Sequence, residues 1–449
     1  MVKTLMISVS GVRGVVGETL TPEIATKFSA AFGEFLGRGP VLVGSDTRTS
    51  SEMFRLSVFS GLISTGSEVI DVGICPTPTL QLMVEKLHAG GGIAISGSHN
   101  PAEWNALKFV RSDGLFLYPE EGEKVLEIYN QDKIRRARWD HLGRIYKESS
   151  AIENHLDRVL KVVNGKKIKS KKLKVVIDAG NGAGALISPE LCRRLGCEVV
   201  EVNCEPNGIF SRPPEPIRPH LRELSKIVKS RKADIGFAHD ADADRLTIVT
   251  DKGEILPEDY TLLLVAKFSL RKKTGLVVTN LSTTQALDDV AAEFNSPVKR
   301  TKIGDIHVSR CMKEEKATIG GEGNGGVIIP EVHYARDGIA AIALLLEYLA
   351  DTDESVSELA KKLPRYYMVK GKRAFTGKDF SRIKNKLEEE FKPESLDFLD
   401  GVKITLEDGW IHIRPSGTEP VIRIITEAKT KERAEALYQL GLEKINEAA

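Results

Sequence analysis

Asp240, Asp242 and Asp244, in the run Asp-Ala-Asp-Ala-Asp-Arg245, crowd three carboxylates into a space that a cation must share. In an extended segment alternate side chains lie on one face, so the three can converge as oxygen ligands for a hard divalent ion. An EF-hand is disfavoured, because Arg245 stands where that loop needs Gly. So few protein ligands leave room for a phosphate oxygen, as Mg²⁺ sites usually do. The run Ser96-Gly-Ser98-His99-Asn-Pro101 is a small, hydroxyl-rich turn in which Ser98 and the adjacent His99 are candidate catalytic groups, although no Gly-x-Ser-x-Gly elbow surrounds them. Arg414-Pro-Ser416-Gly417-Thr418-Glu-Pro420, with Arg423 beyond it, combines hydroxyls, a glycine and guanidiniums suited to a phosphate dianion. Gly320–Gly326 carries Glu322 and Asn324 on a flexible backbone, a set suited to the hydroxyls of a polar ligand. Arg13, between Gly11 and Gly14, and Lys108 supply two further cations. Taken singly, each segment also has a bland reading as a surface turn or solvated charge, weaker for the aspartate run than for the serine turn.

The elements around these segments alternate. A capped amphipathic helix spans 21–36, followed by an apolar run at 40–44, a helix-like stretch through Ile63 and a strand-like segment at 68–73. The pattern recurs with strands at 174–178, 198–202 and 234–238 and a helix at 188–195, then with strands at 276–279 and 297–300 and a helix at 282–294. Such alternation predicts βαβ units with parallel sheets. Ser96 follows the strand-like stretch ending at Ile95, and Asp240 follows the strand ending at Ala238, so both loops leave the carboxyl ends of strands, where ligands of open α/β sheets bind. The basic stretch 164–172 reads as a solvated connector. Beyond it, the last part of the chain changes character: a helix at 380–391, strands at 402–406, 410–414 and 421–427, and a closing helix from about Lys431 predict a smaller α+β domain.

With 449 residues and 41% hydrophobic content, the chain is long enough for three or four domains with real cores. Lys and Arg number 64 against 63 Asp and Glu, so the sequence-independent attraction to nucleic acid is missing. No apolar run reaches the length of a bilayer span and the first residues do not read as a secretion signal, so a cytoplasmic protein with no membrane partner is expected. Five cysteines contain no Cys-x-x-Cys pair and read as buried thiols.

Taken in order, Gly11–Gly14, Ser96–Pro101 with Lys108, Asp240–Arg245, Gly321–Gly326 and Arg414–Pro420 resemble the motifs of the α-D-phosphohexomutase superfamily over nearly the whole chain. The resemblance implies an α/β fold of three related α/β domains plus a smaller C-terminal α+β domain around a central cleft, here divided near 1–150, 151–255, 256–365 and 366–449. It implies that Ser98 is a phosphoserine, and that a hexose phosphate and a hexose 1,6-bisphosphate are the partners as phosphate moves between positions 1 and 6. It places Mg²⁺ on Asp240, Asp242, Asp244 and a phosphoserine oxygen, with Arg245 steadying the nearby loop. Arg13, Lys108 and His99 fall at the reacting end, Glu322 and Asn324 on the sugar hydroxyls, and Arg414, Ser416, Gly417, Thr418 and Arg423 on the distal phosphate.

Two departures from the family pattern stand out. The catalytic loop begins Ser96-Gly97 where Thr-Ala or Thr-Ser is common, and the sugar loop has Asn324 and Gly326 where many glucose and mannose mutases carry Ser and a trailing His. The Glu-Gly-Asn-Gly-Gly form resembles archaeal-type phosphoglucosamine mutases, so glucosamine phosphate is the expected sugar, with mannose or glucose phosphate behind it. Two readings from other classes remain. Gly180, Gly182 and Ala185 fit a dinucleotide-binding fingerprint with Glu201 following, and the same phosphate-gripping residues would serve a non-catalytic sugar-phosphate binding protein.

Overall fold

The computed structural model describes residues 5–8, 11–375, 380–416 and 421–448. Four sheets organise it. In the first, the strands Val41–Ser45, Val69–Ile74 and Gly91–Ile95 run parallel, and Trp104–Arg111 joins antiparallel beside Gly91–Ile95. Gly11–Val15 and Met6–Ser8 extend that edge, and Ile145–Lys147 closes the other. The second sheet sets Lys174–Asp178 parallel to Glu198–Val202 and Ile235–His239, with Leu246–Thr250 antiparallel to the last. In the third, Val277–Asn280 is parallel to Val298–Thr301 and Ile319–Glu322, and Gly326–Ile328 is antiparallel to the last.

One four-strand motif therefore occurs three times. In each copy the first strand lies between the second and third, and a fourth strand pairs antiparallel with the third. The Ser98 loop, the aspartate loop and the glycine-rich loop all occupy the same place, between strands three and four of their own unit.

The helices follow from local sequence. Pro22–Phe35 has Pro at its first position, Thr21 as N-cap and Phe28, Ala31 and Phe32 buried. Gly338–Thr352 is apolar on all sides; Gly338 through Ala350 are buried, and the helix lies within a core that runs through the first three units. The last unit is a five-stranded antiparallel sheet, Tyr367–Ala374, Val421–Ala428, Gly409–Pro415, Val402–Leu406 and Leu396–Asp397, with a core of its own built from Ile383, Ile404, Ile413, Ile422 and their neighbours.

Several expectations need correcting. Residues 164–172 are not a loose connector: Gly165–Lys171 is helical, Ile168 is buried in the main core, and Lys167 and Lys171 pair with Asp351 and Asp353. The expected helix at 282–294 shrinks to Ala286–Ala292, because residues 282–285 form a turn that meets the C-terminal unit. Of the cysteines, Cys75, Cys192 and Cys197 are buried, whereas Cys204 and Cys311 are half-buried. Among the described residues no helix is long and apolar enough to cross a membrane.

Candidate active site

Ser98 is buried on a turn after Gly91–Ile95 and has φ +49°, a left-handed conformation that a non-glycine residue adopts only under constraint. The constraint is Arg48, a buried residue with no obvious motif around it. Arg48 Nη2 donates to the Ser98 carbonyl at 2.7 Å and to that of Asn100 at 2.8 Å, while Nη1 donates to those of Pro101 and Trp104. Asp46 holds Arg48 Nε at 3.1 Å and accepts from Ser96 Oγ at 2.7 Å, and Ser96 Oγ accepts from Ser98 N. This explains Gly97, since a Cβ there would lie 2.7 Å from the Arg48 guanidinium carbon. Asp46 and Arg48 leave the carboxyl end of Val41–Ser45, parallel to the strand that delivers Ser98, and that shared edge was the available sequence signal.

Ser98 Oγ donates to Asp240 Oδ2 at 2.8 Å, so the serine and aspartate loops meet although 142 residues separate them. The aspartate loop is a turn rather than extended, with Ala243 at φ +56°, yet the carboxylates still converge: an oxygen from each lies within 4.8 Å of the others. Asp242 Oδ2 accepts from Lys108 Nζ and Thr77 Oγ1, both at 2.6 Å. Asp242 Oδ1 and Asp244 Oδ1 are buried and accept no hydrogen bond, Asp244 Oδ1 having only the Arg245 guanidinium at 3.9 Å. Burial, then Asp244 and Asp242, pushes Asp240 well above the usual carboxylate range; burial would raise Asp242 too, but Lys108, together with Thr77 and Arg336, outweighs it and holds that group well below. Two orphaned buried oxygens beside a carboxylate forced toward protonation are what a cation would relieve, so the triad fits a hard metal ion.

A cavity of about 100 Å³ brings Ser98 together with Arg13, His99, Lys108, Arg245 and two residues that sequence reasoning missed, Asp305 and Arg336. Arg13 Nη1 donates to Asn100 Oδ1 at 2.6 Å. His99 Nδ1 lies 3.4 Å from Ser98 Oγ; the Arg245 guanidinium, then burial and Arg13, drives its pKa to about 2, so it is neutral. Arg336 spans the site, with Nη2 on Asp244 at 2.5 Å and Nη1 on Glu322 at 2.7 Å. Its side chain fills the space beside Gly326, where a Cβ would meet Arg336 Cδ at 2.3 Å, which accounts for the glycine at that departure from the family pattern. Glu322 ends a strand and Gly326 begins its antiparallel partner, so the glycine-rich loop is a tight hairpin rather than a flexible stretch. Glu322 Oε1 also accepts from Asn280 Nδ2 and Gly304 N.

Asn324 lies in a neighbouring cavity of about 1050 Å³ that shares Arg245. Arg414 is not in the Ser98 cavity. It sits on the C-terminal sheet directly opposite Arg423, with Nε held by Asp400 Oδ1 at 3.1 Å, and Asp400 Oδ2 accepts from Ile303 N. Ser416 N donates to the Val421 carbonyl. Gly417 and Thr418 lie outside the described residues.

The dinucleotide fingerprint is occupied by the protein itself. Arg212 Nε holds Asp178 at 2.9 Å, Ala183 N donates to the Ala241 carbonyl at 2.8 Å, and Glu201 pairs with Arg193. That turn props the aspartate loop from behind.

Comparison with known families matches the phosphoglucomutase/phosphomannomutase α/β/α domains I, II and III at residues 5–136, 153–253 and 257–367, and the family's C-terminal domain at 368–439. The chain belongs to the phosphoglucomutase/phosphomannomutase family. A family member from Thermococcus kodakarensis, named "Phosphoglucomutase/phosphomannomutase", is 42% identical, covering 98% of each chain. A "Probable phosphoglucosamine mutase" from Pyrococcus abyssi is 40% identical over 98% of this chain and 97% of its own. The crystal structure of a phosphoglucomutase/phosphomannomutase family protein from Burkholderia thailandensis superposes with a TM-score of 0.86 at 26% identity, covering 99% and 98% of the two chains.

Proposed function

We propose that this chain is a phosphohexomutase in which Ser98 relays a phosphoryl group between positions 1 and 6 of a hexose phosphate, with glucosamine phosphate as the preferred sugar. The observation that carries the reading is Ser98 Oγ, strained, buried and 2.8 Å from Asp240, at the mouth of a cationic cavity.

With Ser98 phosphorylated, a sugar hydroxyl attacks phosphorus: the new O–P bond forms, the Ser98 Oγ–P bond breaks, and the proton that the sugar hydroxyl loses is made good at Ser98 Oγ, which leaves as a hydroxyl. The resulting bisphosphosugar turns end for end and returns its other phosphoryl group to Ser98. Arg13, Lys108 and Arg245 neutralise the equatorial phosphoryl oxygens, the main requirement of this chemistry. Lys108 and Arg13 are the candidates for relaying that proton from the sugar hydroxyl to Ser98 Oγ, giving one proton as they take up another, so that each keeps the charge that neutralises the phosphoryl oxygens. Phosphorylation removes the proton that Ser98 Oγ donates to Asp240 and sets an anion of roughly −1.5 to −2 charge against three carboxylates. Asp240, Asp242 and Asp244, with a phosphoserine oxygen, would hold a divalent cation, Mg²⁺ in this reading, which would supply the charge stabilisation that makes the arrangement tenable. Glu322 and Asn324 receive sugar hydroxyls, and Arg414, Ser416, Gly417, Thr418 and Arg423 grip the distal phosphate.

The amino-sugar preference rests on the Glu322–Gly326 hairpin with Asn324 and Gly326 and on the relative from Pyrococcus abyssi. Mannose or glucose phosphate is the second reading, favoured by the name of the Thermococcus kodakarensis relative. A side-by-side assay of glucosamine, mannose and glucose 1-phosphates with Mg²⁺ and a trace of hexose bisphosphate decides between them. The highest kcat/KM is expected for glucosamine 1-phosphate; equal or greater values for a neutral hexose would replace that assignment.

A further inference from the structure

Asp305 opens the helix Asp305–Glu315, and its carboxylate faces the cavity that holds Ser98, Lys108 and Arg245. Its side chain is 20% exposed, and its ion pair is long, 3.4 Å to Arg336 Nη2. That same nitrogen is bound more closely by Asp244 at 2.5 Å, and Nη1 is taken by Glu322 at 2.7 Å. One guanidinium thus serves three carboxylates, and Asp305 makes the longest contact with it. Among the described residues Asp305 accepts no hydrogen bond, so its oxygens retain their capacity for a donor from the cavity.

An anion at this place opposes the rest of the cavity. Arg13, Lys108, Arg245 and Arg336 suit a phosphoryl group, which a carboxylate held only at 3.4 Å by Arg336 repels. The arrangement becomes favourable when the sugar itself brings a positive charge. Resting on the amino-sugar reading above, we propose that Asp305 is a specificity-determining residue that pairs with the ammonium on carbon 2 of a hexosamine phosphate when carbon 1 faces Ser98. A hydroxyl on that carbon offers Asp305 a neutral donor, whereas an ammonium offers a charge-assisted one, roughly twice as strong. The relay adds a direction: carbon 2 adjoins carbon 1 and is remote from carbon 6, so the pairing belongs to the turn in which the carbon 1 oxygen reacts. No bond is made or broken at Asp305.

The test compares kcat/KM for glucosamine 6-phosphate and glucose 6-phosphate, whose carbon 1 hydroxyls must approach Ser98, in the wild type and in Asp305→Asn. Asn keeps the shape and an oxygen toward Arg336, and the ratio of the two sugars within each protein cancels any loss from imperfect folding. The glucosamine-to-glucose ratio should fall about tenfold or more, carried mainly by KM for the amino sugar. An unchanged ratio overturns the proposal, including the case in which both activities fall together, as a base or a purely structural residue would give. A wild type without preference for glucosamine, combined with a falling ratio in the variant, overturns the sugar assignment and supports the pairing; a wild-type preference that Asp305→Asn leaves intact does the reverse.

Discussion

Replacing Arg336 with Lys keeps one positive charge but removes the planar fork that reaches Asp244 and Glu322 together. Burial alone would lower the Arg336 pKa, yet Asp244, Asp305 and Glu322 outweigh it and raise it well above the ordinary value, so the guanidinium is a fixed charge in every state of the site. It couples the aspartate loop to the Glu322–Gly326 hairpin. The account predicts that Arg336→Lys lowers kcat/KM by about a hundredfold, the scale on which a misplacement of about 1 Å acts. Steady-state kinetics check this, and a variant within a few-fold of wild type would contradict it. Neither Arg336 nor Arg48 was legible in the sequence, for a physical reason: Arg336 meets Asp244 across 92 residues, and Arg48 meets the Ser98 carbonyl across 50. Ser98 and Asp240 announced themselves because each stands in a chemically unusual run, whereas Lys108, in the ordinary stretch Asn105-Ala-Leu-Lys108, was given its role by the family resemblance.

At the scale of elements, Asp337 shows how the units are joined away from the chemistry. Its Oδ1 caps the buried helix Gly338–Thr352 through the amides of Ile339 and Ala340, while Oδ2 meets His155 Nε2 at 2.8 Å and His333 Nε2 at 3.0 Å. His155 Nδ1 in turn meets Thr79 Oγ1, so three units share one buried network. Burial would raise Asp337, but the histidines, His155 first, hold it well below the carboxylate range. Its contribution is therefore present at neutral pH and is lost only as pH falls below that range. Asp337→Asn sets an amide donor or a neutral oxygen against two buried imidazoles and should cost about 3–5 kcal/mol, measurable by urea denaturation at pH 7; a change under about 1 kcal/mol would contradict the network's importance. Regular strands such as Lys174–Asp178, Glu198–Val202 and Val402–Leu406 were legible to the residue, because their apolar runs are decided locally. The turn at 282–285 was not, because its backbone and hydroxyls answer to a different unit: Gln285 N donates to Glu427 and Ser282 Oγ bonds His412.

For the whole molecule, the contact between the C-terminal unit and the third unit is polar as well as buried. Lys403 Nζ donates to the Leu281 carbonyl at 2.8 Å and lies 4.3 Å from the Trp410 ring centroid. Burial, then Arg300, lowers its pKa from the ordinary 10.5 to about 7. Below about 7 the amine is charged in both folded and unfolded chains and the cost of burying it is at its full value; between about 7 and 10.5 the unfolded chain binds the extra proton, so stability rises with pH. In Lys403→Met that increment disappears. Thermal denaturation from pH 6.5 to 9 should show wild type gaining on the variant as pH rises, and parallel curves would contradict this account. The repeated four-strand motif was only partly legible: three α/β units and a different tail follow from the alternation of elements, but that all three site loops join strands three and four of their sheets appears only once the pairing is known.

The central claim is that Ser98 carries the phosphoryl group, and intact-mass measurement tests it most directly. Incubated with Mg²⁺ and a hexose 1,6-bisphosphate, the protein should gain one phosphoryl group, peptide mapping should locate it on Ser98, and Ser98→Ala should neither acquire it nor turn over substrate. A protein that stays unmodified under these conditions, or an Ser98→Ala variant that remains active, would contradict the account.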